Sequence, residues 1–245
     1  MFPEIVLGPI TIDMYTVMVI LGLIAAMLMF SYLAKSNKLP DNVYRKYMQI
    51  ALLAAIAGFA SAVLFQSIYD ALKTGKFAIG GMTFLGGLAG GAGVFFLLYK
   101  YMTNEEEKKY LLICANYLLI CVVLAHFFGR IGCFLAGCCY GKITDSPLGI
   151  DFGDGHRHPT QLYEAALLLI IFLACFKFKK QTIYIYPISY GAGRFIIEFF
   201  RGDERGAFLF NVISPSQVWS VLLIIIGISL IFLIKSKNQT NKQPR

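Results

Sequence analysis

The chain has 245 residues, 58% of them hydrophobic and only 15% charged, with a mean hydropathy of +0.67. Water-soluble domains carry about 25% charged residues, so this composition excludes one and points to a polytopic membrane protein. The net charge of +8 is what basic residues flanking membrane segments produce, and no nucleic-acid partner is expected.

The N-terminal Met-Phe-Pro-Glu lacks the basic region of a cleavable secretion signal, and no small-residue cleavage site follows. Apolar runs of about 20 residues, the length that crosses a bilayer, fall near 13–33, 47–67, 81–102, 110–130, 160–177, 182–200 and 216–234. They predict an all-α polytopic membrane protein with seven transmembrane helices. Residues 1–234 then form a single membrane domain and 235–245 a basic tail. The third run is rich in glycine from Gly80 to Gly93, which in lipid lets neighbouring backbones come close.

Orientation follows from Lys and Arg. The segments 34–46, 100–109, 177–180 and the tail from 235 hold 14 of them, against seven on the alternate side, with Arg194 inside a helix. The richer side is expected in the cytoplasm. The N-terminus and the loops 68–80, 131–159 and 201–215 then face outward, and the C-terminus is cytoplasmic. Every loop with chemically suggestive residues falls on the outer side.

The fourth run ends in His126-Phe-Phe-Gly129-Arg130-Ile-Gly132-Cys133-Phe-Leu-Ala-Gly-Cys138-Cys139-Tyr-Gly141. An unpaired Arg130 is costly in hydrocarbon, so it must face protein, water or an anion. Cys133, Cys138 and Cys139 match none of the common zinc spacings, and no metal or cofactor is expected. On an oxidising outer side they read as a structural disulfide or as small packing residues, with a thiol-redox centre as the sharper alternative. Cys114, Cys121 and Cys175 lie in apolar runs and read as ordinary buried residues. His126, four residues before Arg130, reads as a packing histidine.

The fifth run opens with His158-Pro159-Thr160-Gln161-Leu-Tyr163-Glu164. Pro159 and Thr160 suit a helix start, and Glu164 suits the positive end of its dipole. Gln161 and Glu164 at the head of a membrane helix need polar partners. His158 adjoins this segment and has a stronger claim than His126 to act as a base. In the sixth run Arg194, Glu198 and Arg201 fall at i, i+4 and i+7, on one helix face. Such a ladder is too costly in a membrane to be decoration. Arg130 and Arg194 are expected to converge on one phosphate, whose oxygens guanidinium groups match bidentately.

These three motifs resemble those of the prolipoprotein diacylglyceryl transferase family. Gly129-Arg130-Ile-Gly132-x-Phe134 through Gly141 is similar to its signature, His158 through Glu164 to its His-Pro-Ser-Gln-Leu-Tyr-Glu segment, and Arg194-Phe-x-x-Glu198-Phe-x-Arg201 to its late arginine motif. Tyr15, Gly81-Met-Thr-Phe-x-Gly-Gly and Gln217 extend the likeness along the chain. The resemblance implies an enzyme of the bacterial cytoplasmic membrane, without cofactor, whose active site faces outward. Its partners would be phosphatidylglycerol and exported lipoprotein precursors. It would move the diacylglyceryl group to a lipobox cysteine thiol and release glycerol 1-phosphate. Arg130 and Arg194 match the family's essential arginines, and His158 becomes a candidate base. Tyr15, Gly129, Gly132, Gly141, Gln161, Tyr163, Glu198 and Arg201 become candidate substrate-binding residues. The chain departs from the family at Leu85, usually His, at Cys133, usually Asn, and at Cys138, usually Glu. The family's Gly-Arg-x-Gly-Tyr stands here as Gly58-Phe-Ala-Ser-Ala62. These departures keep two other readings in view: a phospholipid-dependent transferase with a different cell-envelope acceptor, and a non-catalytic or thiol-redox membrane protein.

Overall fold

Long apolar runs make the helices of this chain, and short polar signals start and stop them. A computed structural model describes all residues except 1, 2, 9, 76, 78, 80–82, 203–212 and 241–245, and the backbone alone of 7, 10, 73, 84, 85 and 237–240. A hairpin of β1 (Glu4–Leu7) and β2 (Ile10–Asp13) leads into α1 (Met14–Ser36), followed by α2 (Asp41–Thr74), α3 (Phe84–Met102), the short α4 (Glu105–Lys108) and α5 (Leu111–Leu135). A two-residue hairpin, β3 (Ile150–Asp151) and β4 (His156–Arg157), precedes α6 (Thr160–Lys177). Then come α7 (Thr182–Ile197), a 3-10 turn (Glu198–Phe200) and α8 (Pro215–Thr240).

The fold is thus all-α, with eight helices among the described residues. Seven of them coincide with the seven expected segments. Five, α1, α2, α5, α6 and α8, are long and apolar enough to cross a membrane. Helix α7 has 16 residues and carries Pro187 in its interior, and α3 has 19.

Helix ends differ from the apolar boundaries in instructive ways. Helix α2 begins at Asp41 and continues to the left-handed Gly75, with φ 73°, well beyond the expected 47–67, because backbone hydrogen bonding does not stop where hydropathy falls. Helix α5 runs past the expected end at 130 to Leu135. Gly132 does not turn the chain. A Cβ there would sit 3.2 Å from Met18 Cβ and 3.2 Å from Tyr15 Cδ2, so it seats α5 against α1. The expected 182–200 helix tightens into the 3-10 turn after Ile197.

The chain divides into two compact units, Phe30–Cys114 and Met1–Met29 with Ala115–Arg245, whose boundaries fall inside α1 and α5. In the first, α2 and α3 pack backbone to backbone. A Cβ on Gly90 would lie 2.3 Å from Ser61 Cβ, and one on Gly58 only 3.0 Å from the Gly87 carbonyl oxygen. The Ser61 hydroxyl donates to the Gly86 carbonyl at 2.8 Å. Close packing therefore accounts for these glycines of the third run. Asn104 starts α4 with a capping box, its side chain accepting from Glu107 N at 2.9 Å while Glu107 accepts from Asn104 N at 3.0 Å.

In the second unit, Asp13 starts α1 by accepting from Thr16 N at 2.9 Å and from the Thr16 hydroxyl at 2.6 Å. The hydroxyl bond holds the Asp13 carboxyl below the usual carboxylate range. The buried Asn116 of α5 accepts from Ile183 N at 2.9 Å, which satisfies an otherwise orphan donor in the first turn of α7.

The α2–α3 contact gives a direct test. Gly90→Ala should lower stability by about 1–3 kcal/mol through overpacking, and Ser61→Gly in the same chain should recover most of it. Thermal unfolding of the detergent-solubilised protein measures both; an unchanged melting temperature in Gly90→Ala would contradict the packing described.

Candidate functional site

Glu164 lies one turn into α6 and is completely buried. A carboxylate without water must be neutralised and hydrogen-bonded, and four side chains from two other helices surround it. Arg130 Nη2 of α5 approaches Glu164 Oε1 at 2.8 Å. Arg194 Nε of α7 lies 3.8 Å from Oε2. The Tyr190 hydroxyl, one turn before Arg194, donates to Oε1 at 2.7 Å. His126 Nε2 of α5 sits 3.6 Å from the same oxygen, and its Nδ1 faces the Tyr186 hydroxyl at 3.4 Å. Tyr186, Tyr190 and Arg194 repeat at i+4 along one polar face of α7, and Glu198 in the turn that follows continues the repeat.

A second layer holds Arg194. Its Nη1 lies 2.6 Å from Glu198 Oε2, and its Nη2 donates to the Ser216 hydroxyl at 3.3 Å. The Ser214 hydroxyl donates to the other oxygen of Glu198 at 2.7 Å. The buried Gln217 side chain accepts from Ser214 N at 3.0 Å, so the start of α8 is fixed to the same cluster. Two arginines thus face two carboxylates. Arg194 has only 7% of its side chain exposed, whereas Arg130 keeps 19%. The buried Nε of Arg130 has no hydrogen-bond partner. A buried donor left unpaired is rare in a finished structure, and with its greater exposure Arg130 is the better placed of the two arginines to take a further anionic oxygen.

The loop after α5 builds the neighbouring wall. Gly141 N donates to the His158 carbonyl at 2.8 Å, and Lys142 N to the Phe200 carbonyl at 2.9 Å. Gly141 also bridges to Arg201. A Cβ at Gly141 would lie 2.4 Å from the Phe200 carbonyl oxygen, so only glycine lets these strands meet. His158 Nδ1 is 3.1 Å from the Tyr163 hydroxyl, and its ring stands edge-on to Phe200 at 5.2 Å between centroids. Nearby, Arg157 donates to both oxygens of Asp154 at 2.8 and 2.7 Å, which lowers the Asp154 carboxyl from its ordinary value.

Between α5 and this wall the chain folds back on itself. Gly137 (φ 68°) and Cys139 (φ 64°) are both left-handed. For a non-glycine residue such as Cys139 that conformation costs on the order of 1–3 kcal/mol. The Thr160 hydroxyl donates to the Cys139 carbonyl at 2.9 Å, and the buried Gln161 amide donates to the Cys138 carbonyl. The result brings the sulfurs of Cys133, Cys138 and Cys139 within 4.8 Å of one another. The linear spacing does not reveal this convergence, because it depends on two left-handed residues.

The expected residues distribute as follows. Arg130 and Arg194 meet at Glu164, with Glu198 behind Arg194. Gln161 secures the cysteine loop, and Gly141 and Arg201 join across the neighbouring wall. Tyr15 and Gly132 form the α1–α5 contact. A Cβ at Gly129 would meet open space. His126, read as a packing residue, lies beside the carboxylate, while His158 pairs with Tyr163. Leu85 belongs to α3 in the other unit and its side chain lies outside the described residues. Glu164 and Tyr190 are the groups that motif matching undervalued. Their signal is the polar i+4 repeat along α7 and a carboxylate at the head of an apolar helix.

An arginine–carboxylate cluster shared by four apolar helices defines a membrane protein with a buried ionic site between its helices. The comparisons agree with that class. The family model for prolipoprotein diacylglyceryl transferase matches residues 4–233, and the chain belongs to this family. It is 34% identical over 245 residues to the phosphatidylglycerol–prolipoprotein diacylglyceryl transferase of Clostridium tetani, covering 92% of this chain and 94% of that protein. It is 33% identical over 250 residues to the enzyme of the same name from Campylobacter curvus, covering 92% and 90%. The Rickettsia bellii relative is 29% identical, with 95% of each chain covered.

Glu164→Gln leaves Arg130 buried without its counter-charge and should cost about 3–5 kcal/mol of stability. Tyr190→Phe, which removes one hydrogen bond to a charged group, should cost about 1.5–3 kcal/mol. Thermal unfolding in detergent tests the order; equal stabilities of Glu164→Gln and the unaltered chain would contradict Glu164 as the hub.

Proposed function

We infer that the chain transfers the diacylglyceryl group of phosphatidylglycerol to the lipobox cysteine of exported lipoprotein precursors. The observation that carries this is family membership along nearly the whole chain, joined to an arginine–carboxylate cluster with an open donor at Arg130. The acceptor thiolate attacks the glycerol carbon that bears the phosphate. A C–S bond forms, the C–O bond breaks, and its electron pair leaves with glycerol 1-phosphate. Negative charge therefore grows on the phosphate in the transition state, where preorganised donors act most strongly. Arg130 contacts that phosphate. Arg194 adds its charge from behind. Glu164 is a positioning residue that fixes both guanidinium groups before the lipid arrives.

In this reading seven helices cross the bacterial cytoplasmic membrane, with the N-terminus outside and residues 235–245 forming a basic cytoplasmic tail on a single membrane domain of 1–234. The distribution of Lys and Arg supports that orientation. So does the placement of the start of α1, the end of α5, the start of α6, the end of α7 and the start of α8 around one cluster. Tyr15, Gly129, Gly132, Gly141, Gln161, Tyr163, Glu198 and Arg201 line or brace the lipid site, and His158 is the histidine nearest its loop wall. A second reading, transfer to another cell-envelope acceptor, draws on Leu85, Cys133 and Cys138 standing where the family usually keeps polar residues.

Expression in cells depleted of their own transferase should restore lipidated lipoproteins, and Arg130→Ala and Arg194→Ala should abolish rescue at normal protein levels. In vitro, Arg130→Ala should lower the transfer rate about 10²–10³-fold. Headgroup release from labelled phosphatidylglycerol without rescue would select the other acceptor. No lipid turnover under any condition would overturn both.

A further inference from the structure

The three cysteines at the end of α5 are unused by the site just described, and they come from a loop held in an uncommon conformation. Cys133 lies in the last turns of α5 and is half-buried, as is Cys139, while Cys138 is exposed. Their sulfurs lie within 4.8 Å of one another. Three thiolates on one zinc ion, each at about 2.3 Å in tetrahedral geometry, stand about 3.8 Å apart. The difference is within reach of side-chain rotation about Cα–Cβ. Three sulfur ligands suit a soft or borderline ion, and they leave the fourth tetrahedral position open, the arrangement of a catalytic rather than a structural zinc site.

The surroundings fit such an ion. The carbonyls of Cys138 and Cys139 are pinned by Gln161 and Thr160 of α6, which fixes the loop from behind as supporting bonds fix metal ligands elsewhere. Three thiolates outweigh the charge of one Zn²⁺, and the excess is met by cations. The Arg201 guanidinium reaches Cys139, and the Arg130 charge acts on Cys133 and Cys139. Arg130 is also the group with the open phosphate donor, so sulfur cluster and headgroup site lie side by side in one unit.

We propose that Cys133, Cys138 and Cys139 hold a zinc ion whose open fourth position binds the acceptor thiol as a thiolate. This rests on the transfer reaction inferred above. A free cysteine thiol has a pKa of about 8.5 and is mostly protonated near neutrality, whereas a thiol that coordinates a metal ion is deprotonated outright. The acceptor S–H proton passes to water as sulfur binds zinc. The zinc-bound thiolate attacks the glycerol carbon of phosphatidylglycerol, the C–O bond breaks, and glycerol 1-phosphate leaves with that electron pair. The thioether product is a poor ligand and gives up the site to water. Zinc keeps its oxidation state throughout, and no separate side-chain base is needed.

The test uses the full chain, reduced and handled without oxygen in lipid nanodiscs. After loading with Zn²⁺ and dialysis, elemental analysis should find one ion per chain, and none in Cys133→Ser/Cys138→Ser/Cys139→Ser or in the milder Cys138→Ser. With Cd²⁺ in place of zinc, a thiolate-to-metal absorption band should appear. It should strengthen when a lipobox peptide with cysteine is added, but not when the peptide carries serine. A chelator should slow transfer at least tenfold and Zn²⁺ should restore it. Metal content no higher than in the triple variant, or a disulfide among these cysteines that persists under reductant, would overturn the metal site. One bound ion with transfer indifferent to chelation would overturn its role in activating the thiol. One bound ion with no turnover of phosphatidylglycerol at all would instead refute the transfer reading while leaving the metal site standing.

Discussion

A carboxylate buried to completion at the head of an apolar helix is the constraint around which the second unit is built. Glu164 has no water to solvate it, and an isolated buried charge costs many kcal/mol. It is stable only because α5 contributes Arg130 and His126 and α7 contributes Tyr190 and Arg194. Those helices are therefore fixed relative to α6 with a precision that apolar packing in lipid would not impose, since lipid tails are as apolar as the side chains they replace. Arg194 in turn must be shared with Glu198, and Glu198 with Ser214, which brings the start of α8 to the same point. The ionic cluster thus specifies how four helices meet.

In the proposed reading the same cluster lets guanidinium groups wait in a membrane for an anionic lipid. Paired with Glu164 and Glu198, the two arginines are nearly neutral as a group and do not need a lipid to be stable. Arg130 is the more exposed of the two and its Nε has no hydrogen-bond partner, so in the proposed reading an incoming phosphate meets one oriented guanidinium rather than a mobile one. Preorganisation of this kind removes the reorganisation that water would otherwise require during the reaction.

Much of this was legible in the residues themselves. Hydropathy located all seven long helices, because a run of about 20 apolar residues has few alternatives to a helix in lipid. The Arg130, His158–Glu164 and Arg194–Arg201 segments marked the chemistry, because polar groups in such runs must be paired. What the linear pattern concealed is tertiary. Which partner each polar group finds cannot be read from one helix: Arg130 and Arg194 both meet Glu164, a carboxylate on a third helix. His126 looked like a lone packing residue because its partners, Glu164 and Tyr186, lie on two other helices. The cysteines match no metal spacing because Gly137 and Cys139 adopt left-handed conformations that fold seven residues of sequence into one cluster. Hydropathy does not mark a helix end where it and hydrogen bonding part company, as at Thr74.

The departures from the family acquire a physical sense in this light. By the motif resemblance, Cys133 and Cys138 stand where the family usually has polar residues, whereas Arg130, Arg194 and Glu164 match its motifs. In the proposed reading phosphate recognition is the preserved element, and thiol handling is where this chain differs. The measurement that bears most directly on the Arg130–Glu164 unit is the calorimetric affinity of the purified protein for glycerol 1-phosphate, compared with that of Arg130→Lys. Lysine keeps the charge but loses the forked, oriented donors, and loss of such a charged hydrogen bond corresponds to about tenfold or more in affinity. A weakening of that size is the predicted result; equal affinities would show that the open guanidinium donor does not bind the phosphate.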